Sequence, residues 1–185
     1  MKKAIFLDRD GTINFDSEKY IRTLQDFRLF PYTAEALEKF YKAGFELIII
    51  TNQSGIGRGY FSEEIFHQMN HLMLGELAKR NVRILDIRFC PHLPESQCDC
   101  RKPKPSHVLQ AAWDHDIDLS QSWFIGDSQK DIQTGYNARC KTALVLSGIR
   151  KIDPETIAGW GIRPDLIEMN LLTAAETIIN LEKNQ

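Results

Sequence analysis

Asp8 and Asp10 lie two residues apart in the stretch KAIFLDRDGT, residues 3–12. Close carboxylates repel, so a cation normally joins them. Hard oxygen donors suit Mg²⁺, which keeps several waters and often bridges to phosphate. A carboxylate so placed is also a nucleophile able to form an aspartyl-phosphate. The plain alternative is a pair of solvated turn residues, and D-x-D-G alone does not separate the two. Asp127, in Gly126-Asp127-Ser128, is the natural third carboxylate for a Mg²⁺ shared with Asp8 and Asp10. Its alternative role is to cap the helix that follows. Asp131 is read as support for the site or the helix rather than as a direct ligand.

A second constellation is the run CPHLPESQCDC, residues 90–100. Cys90, His92, Cys98 and Cys100 make a complete tetrahedral Zn²⁺ set, and a full set indicates a structural rather than a catalytic site. Three of the chain's four cysteines fall here; in a reducing compartment such clustering reads as metal binding rather than disulfides. Arg101, Lys102 and Lys104 follow at once. A metal that fixes the loop also fixes these cations, so that Lys102 could neutralise a phosphoryl group and Asp8. The alternative is a basic solvated turn. His67 and His71 are spaced i, i+4 without a third ligand nearby and read as a solvated face. Cys140 reads as a small core residue.

The elements that must position these groups follow from apolar patterning. Residues 4–7, 45–50, 84–89, 123–125 and 142–146 are short apolar runs of the kind buried on both faces of a parallel sheet. Residues 164–168 read as a short edge strand. Helical spacing appears over 33–43, 62–79, 105–115, 129–138 and 171–181, with Thr33 and Ser62 as caps. The expected inner faces are Ala36, Leu37, Phe40 and Tyr41; Phe66, Met69, Leu72, Met73 and Leu77; and Val108, Leu109, Ala112 and Trp113. Residues 14–30 lack a clear period and read as a loop. Asp16, Ser17, Lys19 and Tyr20 are its candidates for substrate contact. Residues 51–59, TNQSGIGRG, form a small-residue loop after the second strand, where Thr51 could donate to a phosphoryl oxygen. Residues 147–163 read as irregular. Chemistry therefore collects at strand carboxyl ends, where open α/β sheets bind ligands.

The 185 residues are 43% hydrophobic and 26% charged, which suits one domain with one substantial core. A net charge of −2 argues against a general nucleic-acid surface but not against a local basic pocket. No signal peptide or membrane-length segment is visible, so a cytoplasmic protein is expected. A monomer is expected because no apolar stripe is left over.

Taken together, D-x-D-G-T, T-N-Q-S-G, R-K-P-K-P and G-D-x-x-x-D at successive strand ends resemble the haloacid dehalogenase superfamily, specifically its aspartyl-phosphate-forming phosphatases. With C-x-H…C-x-C between the second and third motifs, the chain resembles the zinc-containing branch, whose members act on heptose bisphosphate or histidinol phosphate. The resemblance implies a three-layer α/β sandwich with a mainly parallel, Rossmann-like sheet, a minimal cap and a zinc-binding loop. It makes Asp8 the nucleophile and a Mg²⁺ ligand, and Asp10 the acid and base, with its backbone carbonyl on Mg²⁺. Thr51 and Lys102 hold the phosphoryl oxygens, and Asp127 completes the metal site. Arg101, Asn52, Gln53, Ser54 and the Asp16–Tyr20 loop contact a small phosphorylated substrate. The T-N-Q-S-G-I-G-R-G loop is closer to the heptose type. The C-P-H-L-P…C-D-C-R-K-P-K loop is closer to the histidinol-phosphate type. Ser128 stands where the heptose pattern often has a substrate-contacting lysine. The full complement of Asp8, Asp10, Thr51, Lys102 and Asp127 argues against a binding module that has lost catalysis.

Overall fold

The computed structural model describes residues 1–184. Among them, six strands form one sheet: β1 (Ala4–Leu7), β2 (Glu46–Asn52), β3 (Asp86–Cys90), β4 (Trp123–Gly126), β5 (Lys141–Val145) and β6 (Leu166–Glu168). Their order is β3-β2-β1-β4-β5-β6, and every neighbouring pair is parallel. The chain runs outward from β1 to β3, then returns to β4 on the other side of β1. The crevice between β1 and β4 is thus the topological switch point, where such sheets bind ligands.

Seven α-helices and one 3₁₀ turn (Leu119–Gln121) complete the fold among the described residues: α1 (Thr33–Lys42), α2 (Ser54–Gly57), α3 (Glu63–Ala78), α4 (Ser106–His115), α5 (Gln129–Asn137), α6 (Pro154–Ala158) and α7 (Leu171–Lys183). Strand alternation divides them into two layers. Ile5 and Leu7 share a core with Leu37 and Phe40 of α1, Met69 and Met73 of α3, and Ala174 and Ile178 of α7. Ala4 and Phe6 point the other way, into a core with Val108 and Ala111 of α4 and with Ala138 and Cys140. Each large apolar side chain so buried contributes about 1.5–3 kcal/mol. The result is the expected three-layer sandwich. None of its helices is long and apolar enough to cross a membrane.

The local differences from expectation have physical causes. Ser62 does cap α3, accepting from the Ile65 amide. Thr33 does not cap α1; its hydroxyl donates to the Ile13 carbonyl at 2.5 Å and ties the loop after β1 to the helix. Residues 54–57 and 154–158, expected as loop, each form a short helix, the second capped by Asp153. The sheet-facing stripes are narrower than the apolar spacing. Tyr41, Leu72, Leu109 and Trp113 are exposed, Trp113 by 85%; on α4 the buried stripe is Val108, Ala111 and Ala112, and Leu109 and Trp113 lie off it. The expectation that no apolar surface is left over therefore fails on α4. Residues 14–32 carry no long element and are packed by their own aromatics, with Phe15 and Phe30 centroids 4.2 Å apart.

Candidate active site

β1 delivers Asp8 and β4 delivers Asp127 to the two walls of the switch-point crevice. The backbone turns sharply after Asp8: the Arg9 carbonyl accepts from the amides of Thr12, Ile13 and Asn14 at 3.3, 2.8 and 3.2 Å. Gly11 sits in that turn at φ +84°, and a Cβ there would run into the Asp127 carboxylate. Gly148, in the turn after β5, presses on Asp127 from its own side in the same way. That turn is pinned to the first one by the Ser147 hydroxyl, which donates to the Gly11 carbonyl at 2.7 Å. Asp127 is thus held between two backbones that only glycine lets approach so closely.

Lys102 reaches this cluster from the metal-type loop. Its ammonium, 3% exposed, lies 2.8 Å from Asp8 Oδ1 and 2.7 Å from Asp131 Oδ1. Burial works to lower the lysine's pKa, but the two carboxylates outweigh it and hold the ammonium above its ordinary value. Asp8 is pushed up to about 7 by burial and by Asp131, with Lys102 opposing. Asp127 is pushed up to about 9 by burial, Asp131 and Asp8. One lysine does not neutralise three acids. The ligand oxygens of Asp8, Asp127 and Asp131 all lie within 4.8 Å of one another, an arrangement that fits a divalent cation of the hard, oxygen-seeking kind. Asp131 is the least available of the three: it is fully buried, with Oδ1 on Lys102 and Oδ2 accepting from the Ser128 amide and hydroxyl.

Asp10 lies outside that acid cluster. Its carboxylate turns to Arg9, Asn14 and Gln53 and does not join the oxygens that Asp8, Asp127 and Asp131 bring together, contrary to its expected place as a carboxylate ligand. Thr51, at the end of β2 and 2% exposed, accepts from Gln53 Nε2 at 2.9 Å, which leaves its own hydroxyl proton free to donate. Asn52 clasps the Lys102 backbone on both sides, donating to its carbonyl and accepting from its amide at 3.2 and 3.1 Å. Ser128 is occupied in the capping box of α5. Hence the Asn52 amide, the Gln53 Nε2 and the Ser128 hydroxyl are engaged within the protein. Ser54 opens α2, nearly buried. Asp16, Lys19 and Tyr20 line a groove of about 560 Å³ beside the acids, together with Phe15, Arg22 and Arg28. Asp16 connects the two, pushed up to about 6 by burial and by Asp10.

The second cluster forms where β3 ends. Cys90 Sγ is 3.5 Å from His92 Nδ1 and 3.7 Å from Cys98 Sγ, and His92 Nδ1 is 3.2 Å from Cys100 Sγ. Donors about 2.0–2.3 Å from one tetrahedral centre stand about 3.3–3.8 Å apart, so the four fit a zinc-type ion. The loop is fastened from within: Arg101 donates to the His92 carbonyl at 3.0 Å and Lys104 to the Cys98 carbonyl at 2.7 Å. It is fastened to β2 and α2 as well, since the Cys90 carbonyl accepts from the Gln53 amide and the Pro91 carbonyl from the Gly57 amide. The metal-type loop and the strand-end acids are therefore one mechanical unit, joined through Lys102.

Comparison with known proteins agrees with this geometry. The HAD-hydrolase-like family matches residues 99–174. A protein of Pasteurella multocida named D-glycero-beta-D-manno-heptose-1,7-bisphosphate 7-phosphatase is 44% identical over 155 residues, 80% of this chain and 84% of that protein. One of the same name from Helicobacter pylori is 46% identical over 145 residues, 78% and 83% of the two chains. The chain belongs to the heptose-bisphosphate phosphatase family of haloacid dehalogenase-like hydrolases. The solved structure of the D,D-heptose 1,7-bisphosphate phosphatase from B. bronchiseptica, complexed with magnesium and phosphate, matches with a TM-score of 0.87 at 30% identity, over 97% of this chain and 99% of that one. Within this family frame, the residues that pattern reading passes over are Arg9, Asn14, Ser147 and Gly148. Arg9, a cation between two acids, and Asn14, four residues from Asp10, lie close to the motif in sequence; Ser147 and Gly148 act on segments distant in sequence.

Proposed function

We propose that the chain removes the 7-phosphate of D-glycero-D-manno-heptose 1,7-bisphosphate through a phospho-Asp8 intermediate, with Mg²⁺ at the switch-point acids and structural Zn²⁺ in the Cys90–Cys100 loop. It is a phosphomonoester hydrolase. The observation that carries the reading is the buried Lys102 bridging Asp8 and Asp131 beneath a second strand-end acid, Asp127.

Asp8 Oδ1 accepts from the Arg9 amide at 2.7 Å and faces Lys102. Oδ2 accepts no hydrogen bond among the described residues and is the oxygen free to attack phosphorus. As the Asp8 O–P bond forms, the bond from phosphorus to the sugar oxygen breaks, and Asp10 gives its proton to that oxygen. Water then attacks the phospho-Asp8 phosphorus, Asp10 takes the water's proton, and inorganic phosphate leaves with Asp8 restored. Thr51 and Lys102 hold the phosphoryl oxygens, where transition-state charge gathers. Mg²⁺, held by Asp8, Asp127 and the Asp10 main-chain carbonyl, supplies further compensation for that charge. Cys90, His92, Cys98 and Cys100 hold Zn²⁺, which sets the loop carrying Arg101 and Lys102. Arg101 and the groove at Asp16–Tyr20 recognise the rest of the sugar phosphate. The cysteine ligands suit a reducing compartment, and we assign the enzyme to the cytoplasm.

The test is kcat/KM with Mg²⁺ on heptose 1,7-bisphosphate beside histidinol phosphate. A preference of about 100-fold for the heptose, about 2.7 kcal/mol of transition-state discrimination, is expected. The reverse preference would overturn the substrate while leaving the chemistry.

A further inference from the structure

Arg9 is fully buried, although its backbone belongs to the catalytic turn. Its guanidinium lies against two phenyl rings, 5.4 Å from the Phe27 centroid and 5.0 Å from that of Phe66. Nη1 donates to Asn70 Oδ1 on α3 at 3.3 Å. The remaining donors go to one carboxylate: Nε and Nη2 reach Asp10 Oδ1 at 3.2 and 3.0 Å, and Nη2 reaches Oδ2 at 3.1 Å. Asn14 adds a bond to Oδ1 at 2.8 Å, and Gln53 adds one to Oδ2 at 2.7 Å.

Stability alone does not account for this arginine. Replacing a buried ion pair by well-packed apolar side chains is often neutral or stabilising. The planar fork does what an apolar residue does not: it fixes the plane and direction of a carboxylate. The two rings and Asn70 hold the fork itself, so it is a rigid post in the core, while the Asp10 side chain keeps 20% of its surface exposed.

We infer that Arg9 is a positioning residue for the leaving-group step, orienting the Asp10 carboxyl toward the sugar oxygen through a guanidinium held by Phe27, Phe66 and Asn70. The inference rests on the proposed phosphatase mechanism. In the step concerned, the Asp8 O–P bond forms, the phosphorus-to-sugar-oxygen bond breaks, and the Asp10 proton passes to the departing oxygen. An alkyl leaving group needs that proton; an aryl leaving group such as p-nitrophenolate departs without it.

The experiment compares kcat/KM on heptose 1,7-bisphosphate with kcat/KM on p-nitrophenyl phosphate in wild type, Arg9→Met and Arg9→Lys. This parameter reports steps up to the first departure, so the later attack of water drops out. Arg9→Met is expected to lower the alkyl-to-aryl ratio by about 30-fold or more, a partial loss of the roughly 10²–10⁴-fold that general acids contribute, and Arg9→Lys by less. A ratio within about threefold of wild type, with both activities lowered together, would make Arg9 merely structural and overturn the inference. If circular dichroism shows Arg9→Met unfolded, Asn70→Ala frees only the far end of the guanidinium. It must then lower the ratio in the same direction, about fivefold, and an unchanged ratio overturns the inference. Wild-type turnover of the heptose substrate tests the substrate reading separately. Should it fail, any alkyl phosphate the wild type hydrolyses takes its place, and the ratio still decides.

Discussion

The Lys102 ammonium sits 2.7 Å from the fully buried Asp131 and 2.8 Å from Asp8. Asp131, fully buried, is thus the inner counter-ion that keeps a charged lysine in the core, while Asp8, 14% exposed, is the partner nearer the crevice. Asp131 in turn is fixed by the Ser128 hydroxyl at the start of α5. A helix cap, a buried ion pair and the proposed nucleophile are connected in series.

Breaking that series at the lysine is expected to affect stability as well as rate. Lys102→Met leaves Asp131 buried without its cation, and loss of one partner of a buried pair costs about 3–5 kcal/mol. Urea unfolding in Mg²⁺-free buffer should show a loss of this size, and turnover should fall by at least about a hundredfold. An unchanged midpoint would mean that Asp131 is not held as a carboxylate by Lys102.

Asp8→Asn should behave differently. It removes a crowded charge and keeps the shape, so melting should be unchanged or raised while turnover falls by at least about a thousandfold. Near wild-type phosphatase activity in this variant would refute the nucleophile assignment.

The acid cluster also gives a pH dependence. Asp8 and Asp127 have folded-state pKa values raised to about 7 and about 9, above the ordinary value of 3.8. Below the ordinary value both states are protonated and there is no effect. As pH rises from there, the unfolded chain loses these protons first, so the two groups erode stability until pH passes their folded values. Mg²⁺ should reverse this by compensating the charge. Melting curves at about pH 5 and pH 8 are expected to show Mg²⁺-induced stabilisation that grows with pH. Equal stabilisation at both would place the binding ion elsewhere.

Cys98→Ser tests the loop. Zinc content should fall, and a loss of about 3 kcal/mol corresponds to a melting temperature lower by about 6–12 °C in a chain of this size. Activity should fall too, because Lys102 is carried by the same loop. Unchanged zinc content and melting would show that the four residues do not form one site.

Gly148→Ala probes the close approach over Asp127. The added methyl would enter the space of that carboxylate. Overpacking of this kind costs about 1–3 kcal/mol. The Mg²⁺ concentration for half-maximal activity is expected to rise by about tenfold, since the displaced group is a proposed metal ligand. An unchanged Mg²⁺ requirement would mean that the 147–150 turn moves aside freely.

The strands, their polar ends and the metal-type loop are legible in the sequence because each depends on neighbours only a few residues away. A continuous apolar run such as AIFL declares a strand buried on both faces, and Asp8, Thr51 and Asp127 follow such runs directly. Cys90, His92, Cys98 and Cys100 declare themselves by spacing. What the tertiary structure alone decides is where polar side chains point once the runs are packed. Asp10 turns from the acid cluster toward Gln53, 43 residues away, and Lys102 finds Asp131, 29 residues away. Asn52 closes on the Lys102 backbone across 50 residues, so its amide serves the loop. Trp113 has helical spacing with Leu109, but both lie off the stripe of Val108, Ala111 and Ala112 by which α4 packs on the sheet. Local periodicity sets which elements form, whereas hydrogen-bond partners and close packing are fixed by distant segments that meet only in the folded chain.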